Sequence, residues 1–176
     1  MGSGSWRRVA MTAVADGAGT RPPREDSRTR VYLHAGQVFA SREPCEISTV
    51  LGSCVGVVLV DALLRTGGAC HYLLPFDAAD RLATPRFGNP AIGDLIARML
   101  AMDSRKSDLE AKLFGGASML SQARPNVPSL GTKNVDVARR RLADEGIPIV
   151  AEDVGGYAGR KLVFLTDEGH VWVKKL

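Results

Sequence analysis

The apolar residues of this chain fall into several short strand-like runs and two longer segments with helical spacing. Residues 55–60 form a continuous, mostly β-branched run, which is typical of a strand buried on both faces. Shorter apolar runs predict further strands at residues 31–40, 46–51, 69–74, 109–114, 147–152, 160–166 and 170–174. The last two predict a hairpin around the Asp-Glu-Gly turn at residues 167–169.

Two segments predict amphipathic helices. The first follows Pro90, a residue suited to the first turn of a helix, and carries Ile92, Leu95 and Met99 on one side. We expect the second to begin at Asn134 as its N-cap and to end at Gly146. The pattern as a whole predicts an α+β fold, a single layered domain of mixed β-sheet with two main helices.

The first 30 residues have a different composition from the rest of the chain. They lack periodicity and mix Gly, Pro, Arg and Asp, which predicts a disordered N-terminal tail at residues 1–30 and one domain at residues 31–176. Six arginines and three acidic residues give the tail a net charge of +3, out of +4 for the chain. We therefore favour a solvated tail over a nucleic-acid-binding segment.

Neither a membrane segment nor a signal peptide is predicted. No apolar run reaches the roughly 20 residues that a membrane helix needs. The Gly/Ser-rich residues 1–5 are not followed by an apolar segment. We expect a cytoplasmic protein without membrane insertion, whose three cysteines, Cys45, Cys54 and Cys70, are free thiols because their odd number and wide spacing do not suit a disulfide framework.

Cys54 lies between Gly52 and Gly56 at a strand break, where a substrate can approach the main chain closely and the thiol can attack it. A hairpin with a four-residue loop places His71 directly opposite Cys54; a six-residue loop makes the two diagonal neighbours, and an odd loop puts them on opposite faces. The spacing therefore permits a nucleophile and base at Cys54 and His71 but leaves packing roles open. A zinc site from Cys45, Cys54, Cys70 and His71 is less favoured, because no closely spaced cysteine pair exists.

Several ordered blocks of residues resemble the CheD family of bacterial chemoreceptor glutamine deamidases. The first block is Leu-Gly-Ser-Cys-Val-Gly-Val at residues 51–57, followed by His-Tyr-Leu-Leu-Pro at residues 71–75. Further blocks lie at residues 112–119, 131–135, 152–156 and 159–160, so the resemblance spans most of residues 31–175.

The resemblance implies a layered fold like that of the cytotoxic necrotizing factor toxins and a protein-glutamine glutaminase that acts on methyl-accepting chemotaxis receptors. It implies a Cys–His pair at Cys54 and His71, with a hydroxyl residue, usually Thr, six positions before the cysteine. That position is Ser48, and the alternatives for the group that orients His71 are the neighbouring Thr49 and a main-chain carbonyl. It implies no metal or cofactor, and in some bacteria a CheC-type phosphatase as partner.

Three other functions are compatible with these residues. In the first, the domain is a non-catalytic docking or adaptor module that binds receptors or a CheC-type phosphatase, and the cysteine has no catalytic role. The second is an amidase acting on small molecules. The third is a nucleic-acid binder that uses the arginine-rich tail.

Overall fold

The computed structural model describes residues 5–9, 17–18, 28–75, 84–118 and 127–176. Within these ranges lie two α-helices, α1 (Gly88–Ala101) and α2 (Leu130–Asp144), and a short 3-10 turn at Lys106–Asp108. The strands, in chain order, are β1 (Arg7–Val9), β2 (Gly17–Ala18), β3 (Thr29–Tyr32), β4 (Gln37–Ser41), β5 (Cys45–Leu51), β6 (Val55–Asp61), β7 (Thr66–Tyr72), β8 (Leu109–Gly115), β9 (Ile149–Val154), β10 (Arg160–Leu165) and β11 (Val171–Lys175).

The strands form two sheets. The first sheet has the order β2-β1-β11-β10-β5-β3, and the second has the order β4-β7-β6-β8-β9. Each sheet is mixed, because β3 runs parallel to β5 and β8 runs parallel to β9 while the other neighbours are antiparallel. Both helices pack on one face of the second sheet, and its other face packs on the first sheet. This three-layer arrangement confirms the predicted α+β fold.

Strand β6 is central to both packing interfaces. Val55, Val57 and Leu59 point toward the helices, whereas Val58 and Val60 point toward the first sheet. Every residue of the strand is buried. Because neither face is exposed to water, the strand has no polar alternation, which explains the continuous apolar run in the sequence.

The predicted strand at residues 31–40 is two strands rather than one. β3 belongs to the first sheet and β4 to the second, so the chain crosses from one sheet to the other between them. The crossing includes Gly36, whose φ of 84° lies in the region that favours glycine. The hairpin predicted around residues 167–169 is confirmed by the antiparallel pairing of β10 with β11.

The prediction that residues 1–30 form a disordered tail is wrong for Gly17–Ala18, which form β2, for Thr29 and Arg30, which begin β3, and for β1 (Arg7–Val9). This strand pairs antiparallel with β11, and Val9 is buried between the two sheets. A three-residue strand is too short to show an alternating pattern, so its partner strand, not its own sequence, defines it. Most of the predicted tail, and parts of the predicted loops at residues 77–89 and 121–132, lie outside the described residues.

Helix α2 begins earlier than predicted. Its N-cap is Ser129, whose hydroxyl accepts a hydrogen bond from the backbone N–H of Thr132 at 3.1 Å. The prediction that Asn134 caps this helix is therefore wrong, and Asn134 is instead fully buried inside it. Neither helix in the described part of the chain is long and apolar enough to cross a membrane.

Candidate active site

Cys54 lies in a short connection between the two sheets, residues 52–54, which we call the Cys54 loop. The backbone N–H of Gly116 donates to the carbonyl of Cys54, and that of Ala117 donates to the carbonyl of Gly52, both at 2.8 Å. A Cβ atom at Gly115 would lie only 2.2 Å from the Cys54 carbonyl oxygen, and φ of Gly115 is 102°. The Cys54 loop therefore requires the glycine at the end of β8.

His71 lies near the end of β7 and faces the same interior space as Cys54. It pairs with Gly56, two residues beyond Cys54, in the antiparallel ladder of β6 and β7. The loop has four residues as expected, but it lies at residues 62–65 rather than at the expected 61–64, so Gly56 and not Cys54 is opposite His71. Cys54 and His71 are therefore diagonal neighbours, a relation in which Cα atoms lie roughly 7–8 Å apart and Cβ atoms somewhat closer.

The imidazole of His71 is held from the opposite sheet by Thr49. The Thr49 hydroxyl oxygen lies 2.9 Å from Nδ1 of His71, and the same hydroxyl donates to the carbonyl of Leu33 at 2.7 Å. Since the only hydrogen of the hydroxyl is given to Leu33, its oxygen accepts from Nδ1–H of His71. The proton thus lies on Nδ1, and Nε2 carries a lone pair.

Nε2 of His71 has no hydrogen-bond partner among the described residues, although it is buried. His71 lies on the face of β7 that packs on the first sheet, and Cys54 packs in the same interface between the sheets. Cys54 is only partly buried, so its sulfur is open to an approaching molecule. The arrangement combines a free basic nitrogen with an accessible thiol, which is what nucleophilic catalysis by cysteine requires.

Ser48 does not make the contact with His71 that we expected of it. Along β5, Cys45, Ile47, Thr49 and Leu51 are buried, whereas Ser48 and Val50 are more exposed. Side chains alternate between the two faces of a strand, so Ser48 points away from the interior that holds His71. The prediction that Ser48 orients the imidazole is therefore corrected in favour of Thr49, the alternative in the sequence.

Burial moves the pKa values of both groups toward their neutral forms. Burial raises the pKa of the Cys54 thiol, and the backbone N–H of the same residue partly opposes this. Burial also lowers the pKa of His71, opposed by its contact with the Leu33 carbonyl. Both shifts favour the neutral thiol and the neutral imidazole over an ion pair.

The other two cysteines lie in the core of the domain. Cys45 and Cys70 are buried, and burial raises the pKa of Cys70 to about 12. Cys70 belongs to the core beneath the helices, on the opposite face of the second sheet from His71. The set Cys45, Cys54, Cys70 and His71 is therefore divided between two faces, and no group of three or more metal-binding side chains occurs among the residues described here.

Two buried polar residues support the Cys54 loop, and our sequence reasoning assigned neither of them this role. Arg160 donates to the carbonyls of Gly115 and Gly155 and forms an ion pair with Asp153 at 3.2 Å. Asn134 donates from Nδ2 to the carbonyls of Ser53 and Leu73, both at 2.9 Å. The two Asn134 bonds and the bond from Arg160 to Gly115 join residues far apart in the sequence, and no local pattern indicates them.

The chain is similar to one protein family and to individual known proteins. The model of the family described as CheD chemotactic sensory transduction matches residues 73–175. A protein of Anaeromyxobacter dehalogenans named probable chemoreceptor glutamine deamidase CheD 1 is 43% identical over 168 residues, which cover 96% of each chain. A probable chemoreceptor glutamine deamidase CheD of Sulfurimonas denitrificans is 43% identical over 143 residues, which cover 81% of this chain and 92% of that protein.

Solved structures provide a more distant similarity. The hypothetical protein YfiH of Bacillus licheniformis is 13% identical, with a TM-score of 0.46, and the match covers 78% of this chain and 60% of that one.

Proposed function

The chain belongs to the CheD family, and from this premise we propose that it converts glutamine side chains of chemoreceptors to glutamate, with Cys54 as nucleophile and His71 as general base. It is then a protein-glutamine glutaminase. The observation that carries the proposal is the state of His71. Its Nδ1 is held by Thr49, its buried Nε2 has no partner among the described residues, and the partly exposed Cys54 packs in the same interface between the sheets.

In the first half of the reaction, the thiol of Cys54 attacks the carbonyl carbon of the glutamine side chain. As the S–C bond forms, the thiol proton passes to Nε2 of His71 and the carbonyl oxygen takes the negative charge. The imidazolium then returns this proton to the nitrogen of the amide. The C–N bond breaks, ammonia leaves, and a thioester remains on Cys54.

In the second half, water hydrolyses the thioester. Nε2 of His71, now neutral again, accepts a proton from water as its oxygen attacks the thioester carbon. The C–S bond breaks, the sulfur recovers the proton from the imidazolium, and a glutamate side chain is released. Each turnover consumes one water, releases one ammonia and adds one negative charge to the receptor.

Thr49 is the residue that we propose as the third member of the site. Its hydroxyl keeps the proton of the neutral imidazole on Nδ1 and stabilises the imidazolium that forms in each half-reaction. Its donation to the Leu33 carbonyl fixes the direction of its own lone pairs. Thr is β-branched and stiff at χ1, so the oxygen is held in place.

A location and a second partner belong to the same proposal. A free thiol nucleophile needs a reducing compartment, which supports a cytoplasmic location. We also include a CheC-type phosphatase among the candidate partners, on the family resemblance. Co-purification of the two proteins from a bacterium that encodes both is the experiment that decides it.

Cys54→Ser is the variant that tests the proposed function. Purified receptor signalling fragments are incubated with wild type, Cys54→Ser or Cys45→Ala, and glutamine peptides are followed by mass spectrometry. Wild type adds roughly one mass unit per converted glutamine, the mark of amide-to-acid conversion. Cys45→Ala, which removes a buried thiol outside the site, is the matched control and retains this activity.

Two results would contradict the proposal. Full activity of Cys54→Ser removes the cysteine from the mechanism. Binding of wild type to receptor without any mass change favours the docking module instead. A small-molecule amidase is recognised by hydrolysis of free glutamine or simple amides at rates above those on the receptor.

A further inference from the structure

We infer that Asn134 is a positioning residue for the proposed reaction, because its buried side-chain amide ties together the backbone ends of the two strands that carry Cys54 and His71. The inference rests on the proposed function for its meaning and on the contacts of Asn134 for its geometry. Asn134 touches neither reacting group and acts through the backbone on both sides of the site.

The contacts of Asn134 join the two strands at one atom. Nδ2 donates to the carbonyl of Ser53, the residue before Cys54, and to the carbonyl of Leu73, two residues after His71. The residue is fully buried. Its own backbone carbonyl accepts a hydrogen bond from the Tyr72 hydroxyl at 2.6 Å, so the base of the side chain is fixed as well.

The two hydrogen bonds of Asn134 lie at the end of the ladder between β6 and β7. The ladder between β6 and β7 ends at the pair Val55 and Tyr72, so Cys54 lies just beyond the last paired residue. Without further hydrogen bonds, the ends of two strands separate easily past the last pair. Asn134 supplies two hydrogen bonds at this point and replaces the missing continuation of the ladder.

The chemistry of the amide suits this task. A neutral amide NH2 offers two donor hydrogens, enough for two carbonyls, without a buried charge beside the thiol. A hydroxyl offers one donor hydrogen, and a carboxylate offers none. Asn134 Oδ1 has no partner among the described residues, which reduces the stability of the helix.

The same helix also reaches the Cys54 loop by a second, indirect route that passes through Gly116. A Cβ atom at Gly131 would lie 2.3 Å from the carbonyl oxygen of Gly116, so the first turn of α2 packs directly on this segment. The N–H of Gly116 in turn donates to the carbonyl of Cys54. Helix α2 therefore acts on the Cys54 loop directly through the hydrogen bond from Asn134 to Ser53 and indirectly through Gly116, and Asn134 also reaches the end of the His71 strand.

Asn134→Leu tests the inference, since leucine is similar in size and has no donor. Leu142→Ala, a buried change near the other end of the same helix, is the control matched for loss of stability. We expect Asn134→Leu to lower kcat about 100-fold with KM changed less than about threefold, because a displacement on the order of 1 Å has this effect on a reacting pair. Asn134→Ser, with one donor, should lie between Asn134→Leu and wild type.

The rate of Cys54 alkylation by iodoacetamide is the second measurement, and it requires no receptor. We expect the pH profile of alkylation in Asn134→Leu to move to higher pH, toward the profile of His71→Ala, because the imidazole no longer reaches the thiol proton. An inactive wild type would contradict the proposed function alone and leave these profiles to decide the role of Asn134.

Two outcomes overturn the inference. One is a kcat of Asn134→Leu within about threefold of that of Leu142→Ala at equal melting temperature. The other is an alkylation profile that superimposes on the wild-type profile. If Asn134→Leu fails to fold, Asn134→Ser is read against Leu142→Ala by the same two criteria.

Discussion

Thr49 and His71 join the two sheets through one hydrogen bond of 2.9 Å between the Thr49 hydroxyl oxygen and Nδ1 of His71. Thr49 lies on β5 in the first sheet, and His71 lies on β7 in the second. The space between the sheets is otherwise lined mainly by apolar side chains. The Thr49 hydroxyl and Nδ1–H of His71 are both paired, because the Leu33 carbonyl accepts from Thr49 and Thr49 accepts from His71.

Thr49→Val should lower the deamidation rate by about 10- to 100-fold while leaving the fold intact. Valine has nearly the same shape but cannot accept from Nδ1–H, so the imidazole loses its fixed orientation and tautomer. The effect should be smaller than that of His71→Ala, since general bases contribute about 10²–10⁴-fold. Single-turnover rates measure this, with Thr49→Ser as the variant that keeps the hydroxyl.

Ser48→Ala is the matched control for the same strand. Its side chain points away from the interior, so its rate should stay close to that of wild type. A slow Ser48→Ala together with a normal Thr49→Val would restore Ser48 as the third residue of the site.

The pH dependence of kcat/KM should show an acid limb with an apparent pKa below the ordinary histidine value of about 6.5. Burial lowers the pKa of His71, and only the neutral imidazole accepts the thiol proton. Activity therefore rises as the pH increases through this lowered pKa. Because burial raises the pKa of the Cys54 thiol, activity should not fall again just above the lowered pKa of His71. A decline between about pH 6.5 and 8 would instead indicate a thiolate–imidazolium pair.

The third residue of the site was open to prediction from the alternation in β5. Cys45, Ile47 and Leu51 are apolar and alternate along the chain, so Thr49 shares their face, and this pattern favours Thr49 over Ser48. The hairpin register was harder, because loops of four and six residues both put Cys54 and His71 on one face. Only the observed pairing of Gly56 with His71 shows that Cys54 and His71 are diagonal neighbours rather than directly opposed residues.

The features that sequence reasoning missed depend on distant partners. Asparagine is a common N-cap residue, so the sequence suggests a capping role for Asn134. Only its hydrogen bonds to the carbonyls of Ser53 and Leu73 show that it has another role. The sequence of β1 resembles the tail sequence that flanks it. It forms a strand because it pairs with β11, at the other end of the chain. Local propensity contains no information about either contact.

Val9→Ala should lower the melting temperature measurably, contrary to the expectation for a disordered tail. Val9 is buried between the sheets, and removing its two methyl groups should cost about 2 kcal/mol by the usual scale for core truncations. For a chain of this size that corresponds to a decrease of roughly 4–8 °C. Val50→Ala, on the more exposed face of β5, is the control and should change the melting temperature little.

Lys112 is a fully buried lysine between the two sheets. Its Nζ donates to the carbonyl of Gly169 at 2.7 Å and lies 3.4 Å from that of Val9. Burial lowers its pKa to about 8, which nearby Glu110 opposes. Between about pH 8 and 10.5 the unfolded chain therefore binds this proton and the folded chain does not.

The free energy of unfolding should consequently include a term from Lys112 that increases as the pH rises from about 8 to 10.5. Lys112→Met removes this term, so the melting temperature of wild type minus that of Lys112→Met should increase over this range. Taking the difference removes the opposite effect of Cys70, whose raised pKa of about 12 makes unfolding easier at high pH in both proteins. Lys133→Met, at an exposed position, should give a flat difference. A flat difference for Lys112→Met as well would mean that Lys112 keeps its ordinary pKa in the folded chain.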